Sequence, residues 1–152
     1  MLIGVISDTH GLLRPEAVAA LRGSDSIIHA GDIGDPAILQ QLSQIAPVTA
    51  VRGNVDHGDW AKKIPVTNAL QAGDLRIYIL HILESLDLKP EAVGFSAVIC
   101  GHSHVPKQES KNGVLYFNPG SAGPRRFNLP VSVGRIAVRD ATLQAEIVRL
   151  MA

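Results

Sequence analysis

The chain has almost no cysteine. Cys100 stands alone, which excludes an internal disulfide framework and fits a reducing compartment, so a cytoplasmic location is expected. A surplus of charge is missing too. Lys plus Arg and Asp plus Glu number 14 each, so there is no sign of the broad basic surface that a general nucleic-acid or anionic-membrane binder uses. Aromatics make up 4% of the residues and, Trp60 apart, lay down no stacking track for a single strand. Neither nucleic acid nor membrane is therefore expected as a partner; a homo-oligomer stays open. Long hydrophobic runs are lacking as well. Asp8 and His10 interrupt the apolar start before a signal-peptide core or a membrane span is complete, so residues 3–7 read as a first strand. With no Pro/Gly/Ser-rich linker, low-complexity tract or repeat, residues 1–152 form one domain, long enough to bury about 68–70% of its unfolded surface.

What the chain does have is a recurring design. Six short apolar runs each end in a polar motif: Ile3–Ser7 into Asp8-Thr9-His10, Ile27–Ala30 into Gly31-Asp32, Val48–Val51 into Gly53-Asn54-Val55-Asp56, Ile77–Leu80 into His81, Ala97–Cys100 into Gly101-His102-Ser103-His104, and Val114–Phe117 into Asn118-Pro119-Gly120-Ser121. Near-continuous Val/Ile/Leu runs mark buried strands, and ligands of open α/β sheets gather beyond the carboxyl ends of such strands. Candidate ligands scattered from position 8 to position 104 would then meet at one site.

The intervening segments support this. Pro15 opens a helix whose Ala17, Val18 and Leu21 form an apolar stripe ended by Gly23. Asp35 caps and Pro36 opens a second helix through about Ser43, and Pro47 starts the next strand. The order β-α-β-α-β implies parallel strands with crossover helices. From Val66 the signals become hairpins turning at Ala72-Gly73-Asp74, Lys111-Asn112-Gly113 and Arg139-Asp140-Ala141, so the second half reads as mostly antiparallel. A short helix is expected over Leu86–Val93, broken by Pro90 and closed by Gly94. Two sheets with helices outside make a layered α/β sandwich.

Each polar motif has an ordinary reading beside its chemical one. Asp8 and His10 can grip one ion through oxygen and nitrogen, yet a turn aspartate often bonds only nearby backbone. Asp32 after Gly31 can bridge two cations or simply cap a helix. Asn54 offers a neutral carbonyl oxygen or an ordinary turn, and His81 in apolar company reads first as a hydrogen-bonded core histidine. The pair His102 and His104 after a glycine is harder to explain by packing. Cys100, on the preceding strand, reads as a small buried hydrophobe.

Taken in order, Asp8-x-His10, Gly31-Asp32, Gly53-Asn54-x-Asp56, His81, Gly101-His102-x-His104 and Asn118-Pro119-Gly120-Ser121 resemble the calcineurin-like metallophosphoesterases, in their small single-domain prokaryotic phosphodiesterase branch. The likeness runs from residue 1 to about 126. It implies a four-layer α/β/β/α sandwich of two mixed sheets with two divalent cations at its rim. It also implies that Asp8, His10 and His104 hold one metal and Asn54, His81 and His102 the other, with Asp32 bridging. Mixed N/O ligands without thiolate favour Mn²⁺, with Fe, Ni²⁺, Zn²⁺ or Mg²⁺ as alternatives, over Ca²⁺. Such a pair, about 3.5–4 Å apart, would bring a shared water toward neutral pKa and supply hydroxide to a small phosphodiester or monoester. Asp32, Asn54 and Asp56 are the expected catalytic residues. Asn118, Gly120, Ser121 and Arg125, with Arg126 nearby, are the expected phosphate contacts.

Two departures stand out. Many members of that family place a leaving-group histidine directly after the Gly-Asn pair, where this chain has Val55; Asp56 could orient a water instead, and His57 is a substitute acid. After His81 the family commonly continues Gly-His, but here Ile82-Leu83 follow, and residues 82–100 make a short connection to Gly101. Narrow or weak turnover is expected. The competing reading is a weakly active or silent scaffold, since a retromer subunit keeps this fold to bind proteins.

Overall fold

The computed structural model describes residues 1–151. The first sheet forms around β1 (Leu2–Ile6), whose neighbours are β2 (Ser26–His29), parallel to it, and β9 (Ser132–Arg139), antiparallel. β3 (Val48–Ala50) extends this sheet beyond β2 and β10 (Thr142–Arg149) beyond β9, giving the order β10-β9-β1-β2-β3. The two crossovers carry α1 (Pro15–Leu21) and α2 (Pro36–Ser43). Proline opens both helices, where its missing N–H costs nothing, and the Asp35 carboxylate accepts the Ala37 N–H at 2.9 Å to cap α2.

The second sheet is built from β4 (Thr67–Ala72), β5 (Leu75–Leu80), β6 (Ala97–Ile99), β7 (Lys107–Lys111) and β8 (Val114–Asn118), in the order β4-β5-β6-β8-β7. All three expected hairpins form, β4 with β5, β7 with β8 and β9 with β10. Yet β5, β6 and β8 run parallel to one another, so this half is mixed rather than mostly antiparallel. Turn chemistry reports how consecutive strands are joined. It does not report which third strand lies beside them.

The two sheets stack face to face. Ile3, Val5 and Ile28 of the first meet Ile77, Ile79, Ile99 and Phe117 of the second in one buried core. On the outer face of the first sheet, Ile6 and Ile27 pack against Ala17 and Leu21 of α1 and Ile38 and Leu42 of α2. The outer face of the second sheet differs. Its apolar residues Leu80, Val98, Cys100 and Val114 are covered by Leu83, Leu86, Tyr78 and Tyr116, each only partly buried. The helix expected over Leu86–Val93 is absent. In its place are two isolated 3₁₀ turns, Leu83–Ser85 and Pro90–Ala92, because Pro90 removes an N–H and the segment is too short to form a crossover helix before Gly94 at φ +84°. The fourth layer is thus reduced to two turns. A short helix that the sequence reading missed, α3 (Asp59–Lys62), follows Gly58.

This asymmetry fixes where stability resides. Ile79→Ala, between the sheets, is expected to cost about 2–5 kcal/mol in urea unfolding. Leu83→Ala, on the thinly covered face, is expected to cost about 1 kcal/mol or less. Equal losses would contradict this division of the core.

Candidate metal centre

The polar motifs lie at or just past strand ends. β1 leads into Asp8-Thr9-His10, β2 into Gly31-Asp32, β5 into His81 and β6 into His102 and His104. Five of these side chains leave the backbone from left-handed positions: Asp8, His10, Asp32, His102 and His104 have φ between +46° and +73°. An L-residue there costs roughly 1–2 kcal/mol, so the surrounding structure must impose it. Backbone bonds between loops do so. The N–H groups of Asp8, His10 and Gly11 donate to the carbonyls of Gly31, Asp32 and Ile33 at 2.9–3.0 Å, and the Gly101 N–H donates to His81.

Two glycines set the closeness of approach. A Cβ on Gly53 would collide with the Asp32 carboxylate and backbone N, and one on Gly101 would collide with the Ser7 hydroxyl and the Asp8 carboxylate. No other residue fits at either position without displacing an aspartate.

The side chains so delivered fall into two clusters of potential ligand atoms, each within 4.8 Å: Asp8 with His10 and His104, and Asp32 with His81 and His102. The clusters touch. Asp32 Oδ2 lies 3.6 Å from His10 Nε2 and 3.1 Å from His81 Nε2, while Asp8 Oδ1 lies 3.4 Å from His104 Nε2 and 3.8 Å from His81 Nε2. The outward-facing oxygens are already committed. Asp8 Oδ2 accepts the Ser7 hydroxyl at 2.7 Å and the His102 N–H at 3.1 Å, and Asp32 Oδ1 accepts the Val55 N–H at 3.1 Å. Four atoms lack a well-formed hydrogen bond. Asp8 Oδ1, His10 Nε2, His81 Nε2 and His104 Nδ1 are all buried without one. Each such atom costs about 1–3 kcal/mol, and four of them within the two clusters are donors that a cation could satisfy.

The protonation chemistry points the same way. His81 Nδ1 sits 2.7 Å from the Ala30 carbonyl, which can only accept, so Nδ1 carries a proton and Nε2 is the nitrogen that faces the cluster, 3.1 Å from Asp32 Oδ2. Burial alone would raise the Asp8 carboxyl; the imidazoles of His10 and His104 and the Ser7 hydroxyl outweigh it and hold the group well below the usual range. Asp32 is likewise opposed by burial and held low by His81 and the Val55 N–H. Both carboxylates are therefore anionic and ready to bind a cation. Oxygen and imidazole donors without thiolate suit a divalent transition metal.

A model of the calcineurin-like phosphoesterase superfamily domain matches residues 1–141. The chain belongs to this superfamily. A probable metallophosphoesterase of Methanocaldococcus jannaschii is 35% identical over 97% of this chain and 81% of its own length. Phosphodiesterase YfcE of Escherichia coli K12 is 27% identical over 93% and 94%. Among solved structures, Vps29 of Chaetomium thermophilum superposes with a TM-score of 0.78 at 21% identity, covering 97% of each chain, a likeness of fold.

In this phosphoesterase domain several residues expected at the site take supporting positions. Asp56 is buried, and its carboxylate accepts three backbone N–H groups, those of Gly53 at 2.8 Å, Gly34 at 2.9 Å and Ile33 at 3.1 Å. That makes it a clamp between the Asp32 and Asn54 loops rather than a group facing a reacting water. Asn118 is also buried: its amide donates to the Gly101 carbonyl and the Ser103 hydroxyl, and its oxygen accepts the Gly120 N–H. The Ser121 hydroxyl donates to the Asp8 carbonyl at 3.0 Å and accepts the Gly123 N–H. Through these bonds the Asn118 amide, the Gly120 N–H and the Ser121 hydroxyl tie the loops together from behind. Asn54, Val55, His57, Arg125 and Arg126 are exposed.

The sequence reading missed two residues. Ser7 holds Asp8, as above. His29, fully buried at the end of β2, accepts the Gly31 N–H at Nδ1 and sits 3.0 Å from the Thr9 hydroxyl through Nε2. Thr9 in turn donates to the Ile33 carbonyl, so the ring must donate to Thr9 and is the neutral Nε2–H tautomer. A histidine two residues before Gly31-Asp32 in an otherwise apolar strand was the available signal.

Burial depresses His29 from 6.5 to about 4. Between those values the unfolded chain takes up a proton that the folded one refuses, so stability falls as pH drops below 6.5. His81 shifts the opposite way, so its contribution is complete below 6.5 and offsets only a small part of the loss between pH 7 and 6.5. Urea unfolding in EDTA should lose about 2 kcal/mol from pH 7 to pH 5, and His29→Asn should flatten most of that slope. A second test concerns the glycine contact: Gly101→Ala should remain folded by circular dichroism but lose bound metal, measured as metal per chain by mass spectrometry. Full retention would refute the close-approach argument.

Proposed function

We propose that this chain is a metal-dependent hydrolase of small phosphodiesters or monoesters. The observation that carries the reading is the group of four buried, partnerless ligand atoms in two clusters joined through Asp32. Asp8, His10 and His104 would hold one divalent cation, and His81, His102 and the neighbouring Asn54 the other, with Asp32 between them. Manganese is the first choice, with iron, nickel, zinc or magnesium next. When bound, such a pair neutralises phosphoryl charge and lowers the pKa of a water toward neutrality, which removes the need for a side-chain nucleophile.

The chain's own residues then have distinct tasks. Ser7 and the His102 N–H hold Asp8, the Ala30 carbonyl fixes the His81 tautomer, and Asp56 locks the loop that carries Asn54 beside Asp32. Arg125, on the exposed loop after Ser121, is the proposed cationic contact for a phosphoryl oxygen, with Arg126 beside it. Cys100 is not a nucleophile, because burial and nearby Glu84 push its thiol up to about 12. Among the described residues no helix is long and apolar enough to cross a membrane. A cytoplasmic enzyme acting on a diffusible ester fits that and the lone cysteine.

The scaffold alternative shares the fold but gives no use to four buried atoms without partners, so the hydrolase reading ranks first. With Mn²⁺ added, the native chain should hydrolyse bis-p-nitrophenyl phosphate, and Asp32→Ala and His102→Ala should each lower kcat at least 100-fold. Equal rates in all three would refute the proposal. Since Val55 offers no proton to a leaving group, rates should fall steeply as leaving-group pKa rises; a flat dependence across a series of aryl esters would reveal an acid not identified above, with His57 the first to substitute.

A further inference from the structure

We infer that the thinly covered outer face of the second sheet is a substrate subsite, a groove that takes an uncharged, ring-sized ester arm while the phosphorus sits at the metal centre. The inference rests on the hydrolase reading for its phosphoryl position, but on separate observations for the groove itself. A cavity of about 600 Å³ runs along this face, with Leu83, Leu86, Val105 and Tyr116 among its walls and Cys100 beneath. That volume lies within the usual range of about 300–1,000 Å³ for small-molecule sites. One end reaches the edge of the metal centre, because His102 of the Asp32 cluster lines it together with Gly101 and Ser103.

Its origin is legible in the chain. The short connection over residues 82–100 forms two 3₁₀ turns where a layer-forming helix would lie, so Leu83, Leu86 and Tyr116 stay only partly buried. Leu83, two residues after His81, is one of the apolar side chains that line the cavity. A ligand bound through its phosphoryl group therefore meets hydrocarbon as soon as it extends along the sheet.

Charge narrows the occupant. Lys107 and Lys111 both lie against Glu109, at 3.5 and 3.9 Å, and Glu84 adds a second carboxylate to the lining. Two cations and two anions leave the groove without net charge, which does not suit a second phosphate or an acidic peptide. Lys111 Nζ lies 5.6 Å from the centre of the Tyr116 ring, so one wall pairs an aromatic with a lysine stem. Apolar walls, an aromatic and balanced charge favour a neutral ring such as an aryl group or a nucleoside.

The test compares two inert probes with one phosphoryl head, phenylphosphonate and methylphosphonate, titrated into the Zn²⁺-loaded full chain and followed by methyl NMR. Phenylphosphonate should bind at least tenfold tighter and shift the methyl signals of Leu83, Leu86 and Val105. In Tyr116→Ala, and independently in Leu86→Asn, each at a partly buried wall position and each first checked for a native circular dichroism spectrum, that preference ratio should fall at least fivefold. Equal affinities in the native chain, a ratio unaffected by both substitutions, or binding of neither probe would overturn the subsite. Hydrolysis of bis-p-nitrophenyl phosphate separates the two ideas. Turnover without ring preference sinks the groove alone, whereas ring preference without turnover sinks the hydrolase reading and leaves the groove standing.

Discussion

Two carboxylates buried among four imidazoles are the constraint on which this molecule is organised. Asp8 and Asp32 would repel one another if their oxygens met in a dry interior, and neither can be stripped of water without a partner. The chain resolves this by dividing each carboxylate. One oxygen is bound to fixed donors of the protein, and the other is turned toward histidine nitrogens at 3.1–3.8 Å. The balance in the metal-free chain is incomplete, as the partnerless atoms record. Affinity for cations is the consequence of that incompleteness.

Holding such a cluster requires a rigid support, and the support is mostly backbone. Left-handed turns at five positions of the two clusters present their side chains there, and bonds between loops impose those turns. Behind them, Asp56, Asn118, Ser121 and His29 use their polar atoms on neighbouring N–H and C=O groups. Residues that sit beside a site in sequence thus serve it by position. The strain is tolerated because the inter-sheet core anchors the strands from which the loops spring.

The two faces of the molecule are treated unequally. The first sheet is covered by two capped or proline-started helices, while the second has two turns and a set of half-buried apolar residues. In a domain that must bury its apolar surface, a sheet face whose covering residues stay half-exposed is costly unless something occupies it. The proposed ester arm gives that surface a function.

Much of this was legible in the residues themselves. Strand ends, proline-opened helices, the Asp35 cap and three hairpin turns follow from local chemistry, because each is decided within a few residues. The ligand types and their order are equally local, and so is the family likeness they carry. Other features were not available at that level. Strand neighbours β5-β6-β8, the clamp made by Asp56 and the tautomers of His29 and His81 depend on contacts between segments 18 or more residues apart. The amino-acid order determined which donors exist and that strands would carry them to one edge. Only the tertiary structure decided which oxygen faces the cluster, which side chain merely braces it, and which face stays open, since those outcomes are set by distance and burial across the fold.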